Sequence, residues 1–374
     1  AMEPFSLENI TFCREDAGAS ASPFSIDLEK REAVTPVYEL AWNAGGQLTR
    51  IFDRVHQRNV LKDGALGNVL ELYEDKPLSD DAWNVDSFYT EKMCILDASP
   101  EVTLEEVGEL LARLRFTYRF GDSSVEQDMI LYRDSLRIDF DTRVHWEESH
   151  KLLKTAFYTD IRSVKASYDI QFGHAERPTH ANTSWERAKF EVCAQKWADL
   201  SEHGYGVSLL NDSKYGYSIR ENAMKLSLLR SPAHPDPAAD RGDHHFVYAL
   251  LPHTGDVTEG ETIREAAKLN LPALAVKDRE TAAKTKLFAF AGDGVLVDAV
   301  KKAEDDDALI IRMHEYRGGR GRASLGFDRE VDAHPVNLLE EEMDGVSCET
   351  QDGGRGVRTW LRPFEIRTLK VSVR

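Results

Sequence analysis

Alternation of apolar and polar residues runs through the middle of this chain, and it leaves little choice of fold. From Leu110 to Phe120 the even positions read Leu110, Ala112, Leu114, Phe116, Tyr118 and Phe120, while Arg113, Arg115, Thr117 and Arg119 take the odd positions after Leu111. Period two with one apolar face describes a strand half-buried against a core. Leu136 to Trp146 repeats it: Leu136, Ile138, Phe140, Val144 and Trp146 face one way, and Arg137, Asp139, Asp141, Arg143 and His145 the other. Between them Val125, Met129 and Leu131 alternate more loosely with Glu126 and Asp128, and Arg133-Asp-Ser135 supplies turn chemistry. Three such strands in succession form an antiparallel meander, and a second sheet is expected to pack on its apolar side.

The flanks read the same way. Tyr38–Trp42, Gly46–Phe52 and Asn59–Leu61 are short strands around Gly and Asp turns. Glu105–Leu111 has helical propensity but runs into a clear strand, so it is read as strand. Tyr205–Leu229 reads as a strand pair, and Pro232, Pro235 and Pro237 break the chain into a loop up to Gly242. Glu259–Leu269 is a short helix. Strands resume at Leu287–Phe290, Val295–Val297, Ala308–Arg312, Ala323–Leu325 and Phe364–Val371, with the charged run Lys301–Asp307 as a solvated hairpin turn. Turn signals between Lys268 and Lys286 mark a boundary. The expected fold is all-β: a lead-in over residues 1–35, a large antiparallel multi-sheet sandwich of the galactose-mutarotase-like supersandwich kind over 36–275, and a smaller C-terminal β-sandwich over 276–374.

Charge narrows the partners. With 65 acidic against 47 basic residues the net charge is −18, which argues against nucleic acid or an anionic membrane surface and suits a neutral ligand such as a sugar. No apolar run approaches the roughly 20 residues that span a bilayer, and no signal peptide is visible at the start. The Ala before Met2 reads as an expression scar on a chain cut from something longer. Cys13, Cys94, Cys193 and Cys348 lie far apart with no C-x-x-C pair. That spacing implies free thiols in a reducing cytoplasm. Self-association is left open.

Chemistry concentrates in Thr179-His-Ala-Asn-Thr-Ser-Trp-Glu-Arg-Ala-Lys-Phe-Glu-Val192 and its continuation through Lys196-Trp-Ala-Asp-Leu200 and Gly204–Tyr217. Sugars are held by aromatic faces against their C–H surfaces and by charged groups on their hydroxyls. Trp185, Trp197, Tyr205 and Tyr215 offer the first; Glu186, Lys189, Glu191, Lys196 and Asp199 offer the second. The same aromatics would also serve plain packing. Asp80-Asp-Ala-Trp-Asn-Val-Asp86 places Asp81 and Trp83 on a second candidate rim, although close spacing alone does not give two carboxylates the separation that glycoside hydrolysis needs.

This stretch, with Gly67–Pro77, Lys151-Leu-Leu-Lys-Thr-Ala-Phe157, Gln171-Phe-Gly-His174, Leu226-Ser-Leu-Leu-Arg-Ser-Pro232, His253-Thr-Gly255 and Val300-Lys-Lys-Ala-Glu304, resembles the β-rich C-terminal half of the class II α-mannosidases, glycoside hydrolase family 38, in their bacterial and cytosolic branch. The matching words keep their order over roughly residues 40 to 372. The resemblance implies hydrolysis of terminal α-mannosides with retention, by a protein whose N-terminal β/α-barrel carries a zinc ion and the nucleophile. This chain would then hold no catalytic residue and no metal ligand. It would meet the missing barrel, complete the cleft for a mannose-containing oligosaccharide, and be inactive alone. A loop of the β-region lines the barrel's site in that family, and Lys189–Glu191 is the candidate here; related branches carry tyrosines about there, where this chain has Phe190 and Glu191. The family's His-x-Asp zinc word finds only His234-Pro-Asp236, in the proline loop, and it is not read as a ligand. Two other readings stand beside this one. The first is a stand-alone carbohydrate-binding sandwich. The second is a mutarotase-like enzyme using His174 or His180 with Glu176 or Glu191.

Overall fold

Apolar alternation this regular has to close on something, and the chain closes it with a second sheet. The computed structural model describes residues 5–8, 21–96, 99–277 and 285–374; residues 9–20 of the lead-in, Cys13 among them, lie outside the described residues. By its internal contacts the chain divides into two units: a larger one, Ala17–Asp169 with Ala175–Pro272, and a smaller one, Ala1–Asp16, Ile170–His174 and Ala273–Arg374.

The larger unit is built on a nine-stranded sheet in the order Gly173–Pro178, Lys165–Ile170, Trp197–Glu202, Tyr205–Asn211, Gly242–Thr254, Ile138–Trp146, Ser123–Tyr132, Leu111–Phe120 and Glu101–Val107. Opposite it lies a six-stranded sheet, Val192–Cys193, Gly216–Arg220, Ala223–Arg230, Lys151–Tyr158, Val69–Glu74 and Met93–Ile95. Five short strands between Ser25 and Asn59 form a third sheet. The described registers are antiparallel. The meander is as expected: Ala112, Leu114, Phe116 and Tyr118 are buried, as are Val125, Met129, Phe140, Val144 and Trp146. They share one core with Leu70, Leu72, Leu153, Phe157, Met224 and Leu226 of the six-stranded sheet. Phe140 meets Phe157 across the gap at 5.8 Å between ring centroids. One neutral polar network is sealed in this core. Asn68 donates to Gln127 Oε1 at 2.6 Å, Tyr248 donates to Asn68 Oδ1 at 2.6 Å, and Gln127 donates to Thr142 Oγ1 and the Tyr248 hydroxyl.

One strand reading holds with shifted bounds and one needs correcting. The segment at Glu105 is a separate edge strand, Glu101–Val107, because Gly108 turns the chain and its N–H bonds Leu111 O at 2.9 Å. Glu105 and Glu106 stand exposed on that edge, where charge discourages pairing with another sheet. Tyr205–Leu229 holds three strands rather than two. The extra one, Gly216–Arg220, ends in a tight Glu221–Asn222 turn in which Glu221 takes a positive φ of 52°.

The smaller unit packs the four-stranded sheet Ala289–Asp293, Gly321–Gly326, Gly356–Leu361 and Glu349–Gln351 with a second, Val295–Lys302, Leu309–Glu315, Ile366–Val373 and Val331–Val336. Phe288, Val295, Ile311, Met313, Leu325 and Leu369 are its core. The charged run turns as expected: Lys302 pairs with Asp307 at 2.6 Å, and Asp306 accepts the Ala308 N–H at 2.9 Å. The fold is all-β, and among the described residues it carries two short α-helices, Ser184–Ala188 and Thr262–Asn270. No helix of the described residues is long and apolar enough to cross a membrane.

Candidate functional site

Alternation that buries one face of the six-stranded sheet must turn the other face outward, and that outward face is charged and aromatic. Glu71 and Tyr73, Lys154 and Tyr158, and Lys225 point away from the core while their neighbours Leu70, Leu72, Leu153, Phe157 and Met224 point into it. Glu71 is buried and accepts from Tyr73 at 2.5 Å, Tyr158 at 2.8 Å and Lys225 Nζ at 2.8 Å. Lys154 is wholly buried; its ammonium donates to Glu191, which also accepts from the Tyr89 hydroxyl at 2.5 Å. Burial pushes the Lys154 ammonium below the ordinary lysine value, and the neighbouring Glu191 carboxylate opposes that. Desolvation and the same carboxylate push the Tyr89 phenol far above the ordinary tyrosine range, so it stays a neutral donor.

Two loops sit on this face, and each carries an exposed tryptophan. In the first, Thr183 caps helix Ser184–Ala188 through a capping box: its hydroxyl accepts the Glu186 N–H at 3.2 Å, and Glu186 accepts the Thr183 N–H at 2.9 Å. Arg220, from the strand beneath, donates to the carbonyls of His180, Glu186 and Lys189 at 2.8–3.0 Å. Trp185 is left 80% exposed. In the second loop Arg230 donates to Asp81 O at 2.7 Å, Ala82 O at 3.0 Å and Asn84 O, while its Nε meets the buried Asp75 carboxylate at 2.5 Å. Trp83 is left 71% exposed. One arginine of the sheet thus clamps each loop by its carbonyls. The loops also share an anchor, since Val85 of one and Phe190 of the other pack on Tyr73, Tyr89 and Leu152.

The structure therefore brings Trp185, Lys189 and Glu191 together on one loop and Asp81 with Trp83 on the other, both on one apolar cluster. The Asp81 carboxylate accepts the N–H groups of Ala233 and His234 at 2.7 and 3.1 Å, so it shapes the proline loop. Lys196 is exposed, its N–H bonded to Asp169 at 3.0 Å. Trp197 faces the interior at 2% exposure, packed with Leu210, Ala249, Leu251, Val257 and Ala266 under helix Thr262–Asn270. Of the pairs weighed for a mutarotase, His180 lies 3.3 Å from Glu186, Glu176 pairs with Lys165, and Glu191 with Lys154; each carboxylate has a separate partner. His234 and Asp236 are exposed in the proline loop. Among the described residues no group of three or more His, Cys, Asp or Glu is placed to hold a metal ion. Lys154, Tyr89, Arg220 and Arg230 were not singled out from sequence. The signal for Lys154 is a cation in the interior of the strand Lys151–Tyr158, set between Leu153 and Thr155.

Comparison with known proteins places this geometry. Residues 34–238 match the glycosyl hydrolases family 38 C-terminal domain, and residues 294–369 match the glycosyl hydrolases family 38 C-terminal beta sandwich domain. Alpha-mannosidase 2C1 of Homo sapiens is 40% identical over 331 residues, covering 87% of this chain and 32% of the relative. Alpha-mannosidase G of Dictyostelium discoideum is 37% identical over 341 residues, covering 87% and 31%. The chain thus spans about a third of the length of these curated relatives. A glycosyl hydrolase family 38 protein from Enterococcus faecalis shares the fold, with a TM-score of 0.76 at 16% identity over 99% of this chain and 47% of that one. The chain belongs to glycosyl hydrolase family 38 and corresponds to the C-terminal region of its members.

Proposed function

We propose that this chain is one wall of an α-mannosidase cleft, in an enzyme that hydrolyses terminal α-mannosides with retention. The observation that carries the reading is the pair of exposed indoles, Trp83 and Trp185, each standing on a loop clamped from below by an arginine of the same sheet face. Water-facing tryptophans on rigid loops suit the C–H face of a sugar, and Lys189 beside Trp185 suits its hydroxyls. Glu191 contributes by position: its carboxylate is spent on Lys154 and Tyr89 and fixes the loop. The two carboxylates that flank a scissile glycosidic bond, and the zinc, belong in this reading to the larger share of the polypeptide that the relatives' length implies. The isolated chain is then catalytically silent. Cys94, Cys193 and Cys348 are free, which suits a cytoplasmic setting, and the domain limits at 36–275 and 276–374 are kept.

The test is an aryl α-mannoside assay with added zinc. The 374-residue chain should give no turnover above background, and the full polypeptide should. Turnover by the chain alone would move the reactive groups into it and end this reading. A reading frame with no barrel upstream, together with mannose binding by the chain alone, would instead favour the carbohydrate-binding module.

A further inference from the structure

Strand Gly173–Pro178, strand Gly216–Arg220 and helix Ser184–Ala188 border a cleft that shares Lys189 with the sugar reading but is otherwise unassigned by it. Tyr168, Arg177, Glu186, Lys189, Ser218 and Arg220 line it, and it measures about 280 Å³ counting the open space at its mouth. Nearly all of that is open solvent, and the enclosed part is about 10 Å³, enough for one oxygen-sized group at its base. The Arg177 guanidinium lies over the Tyr168 ring, 4.6 Å from its centroid. It has five N–H donors, yet no hydrogen bond or ion pair of its side chain is found among the described residues, and its Nη1 is screened from solvent with no partner. Folded proteins usually pair a shielded donor, through ordered water or a bound ion where no protein atom reaches it.

The neighbours sharpen the point. Arg220 is occupied by three carbonyls, and Glu186 by the Thr183 N–H and by His180 at 3.3 Å. The Lys189 ammonium has no partner among the described residues. Three cations therefore face one already engaged carboxylate, in a chain whose net charge is −18. Uncharged hydroxyls would leave that excess uncompensated. An oxyanion would meet it with forked, charge-assisted hydrogen bonds, for which a planar guanidinium stacked on an aromatic ring is pre-organised.

We propose that this cleft binds a single oxyanion group, a carboxylate or a phosphate monoester, held by the fork of Arg177 with Lys189 and the Ser218 hydroxyl beside it. The proposal goes beyond the sugar-wall reading; the two share Lys189, and Arg177 belongs to the oxyanion site alone. Two sources share this chemistry: a free acidic small molecule, and an acidic side chain of the remaining polypeptide. The test is calorimetric titration of the chain with inorganic phosphate and with acetate, against chloride at equal ionic strength. Saturable binding is expected to weaken about tenfold or more in Arg177→Gln, and less in Arg177→Lys, which keeps the charge and loses the fork. Binding by the chain but not by the full polypeptide supports the cleft with an internal carboxylate as occupant; binding by both supports a free anion. Absence of phosphate and acetate binding to the chain overturns the proposal. So does wild-type affinity in Arg177→Gln, provided circular dichroism shows it folded. Should Arg177→Gln not fold, unchanged affinity in Lys189→Gln together with Arg177→Lys overturns it equally.

Discussion

The two faces of the six-stranded sheet bury polar groups by opposite means. Inward, Asn68, Gln127, Thr142 and Tyr248 form a closed network of neutral donors and acceptors inside an aromatic core. Outward, Glu71, Lys154, Lys225 and Glu191 bury charges under tyrosine rings. A neutral network satisfied on every side costs little and fixes the packing of two sheets. A buried ion pair is poor value for stability alone, because desolvation cancels most of its attraction. Its use here is positional. Lys154 holds Glu191, and Glu191 holds the end of the loop that carries Trp185 and Lys189. The inner face closes the two sheets on each other, and the outer face fixes the two loops.

That contrast breaks most readily at the inner face. Phe140→Ala should cost about 3–5 kcal/mol, since the ring is fully buried between Tyr248 and Phe157. Urea unfolding followed by tryptophan fluorescence measures it, and a loss under about 1 kcal/mol would mean the sheets do not close on that ring. Glu191→Gln comes next. It leaves a buried ammonium without its counter-charge, for about 3 kcal/mol. Lys154→Met with Glu191→Gln should recover most of that stability without recovering sugar-dependent activity in the full polypeptide. Recovery of both would make the pair purely structural.

The third test uses a buried charge away from the loops. His253 Nε2 lies 2.7 Å from the Asp199 carboxylate, which also accepts from Ser201 and Ser208. Gly206 makes the space: a Cβ there would overlap both Ser201 Oγ and the imidazole. Burial opposes charging His253, yet the hydrogen bond and charge of Asp199 win and raise it above the ordinary histidine value. The folded state then holds a proton that the unfolded state releases. The stabilisation is complete below about pH 6.5 and is lost as pH rises through the folded-state value. The melting temperature of the wild type should therefore fall over that interval more steeply than that of His253→Gln. Equal slopes would show that His253 is neutral in the fold.

Much of this architecture is legible in the sequence. Period-two runs such as Leu110–Phe120 and Leu136–Trp146 specify strands because one residue's slip would turn the whole apolar set to water. The hairpins at Gly108 and at Glu221–Asn222 were not legible, since each is a two- or three-residue event inside a longer polar-apolar pattern. Site residues divided by the same logic. Trp185 and Trp83 stand in polar surroundings, and both are exposed. Trp197 begins a strand whose partner, at Leu210, decides its burial, and pairing across 13 positions is not written in local sequence. Arg220 and Arg230 act on backbone carbonyls of loops 30 to 150 positions away. An arginine that bonds carbonyls leaves no complementary residue type to find.

The smallest expected effect on stability is the most informative about the outer face. Trp185 is 80% exposed on a helix whose caps do not involve it, so Trp185→Ala should change unfolding free energy by no more than about 0.5 kcal/mol. In the full polypeptide the same substitution should weaken mannoside binding, seen as a rise in KM, because the indole's apolar face has no other occupant on the described residues of this loop. Trp83→Ala should behave alike. A change in stability with KM untouched would assign the indole to packing against another part of the protein. A rise in KM with stability untouched is the signature of a surface kept open for a ligand.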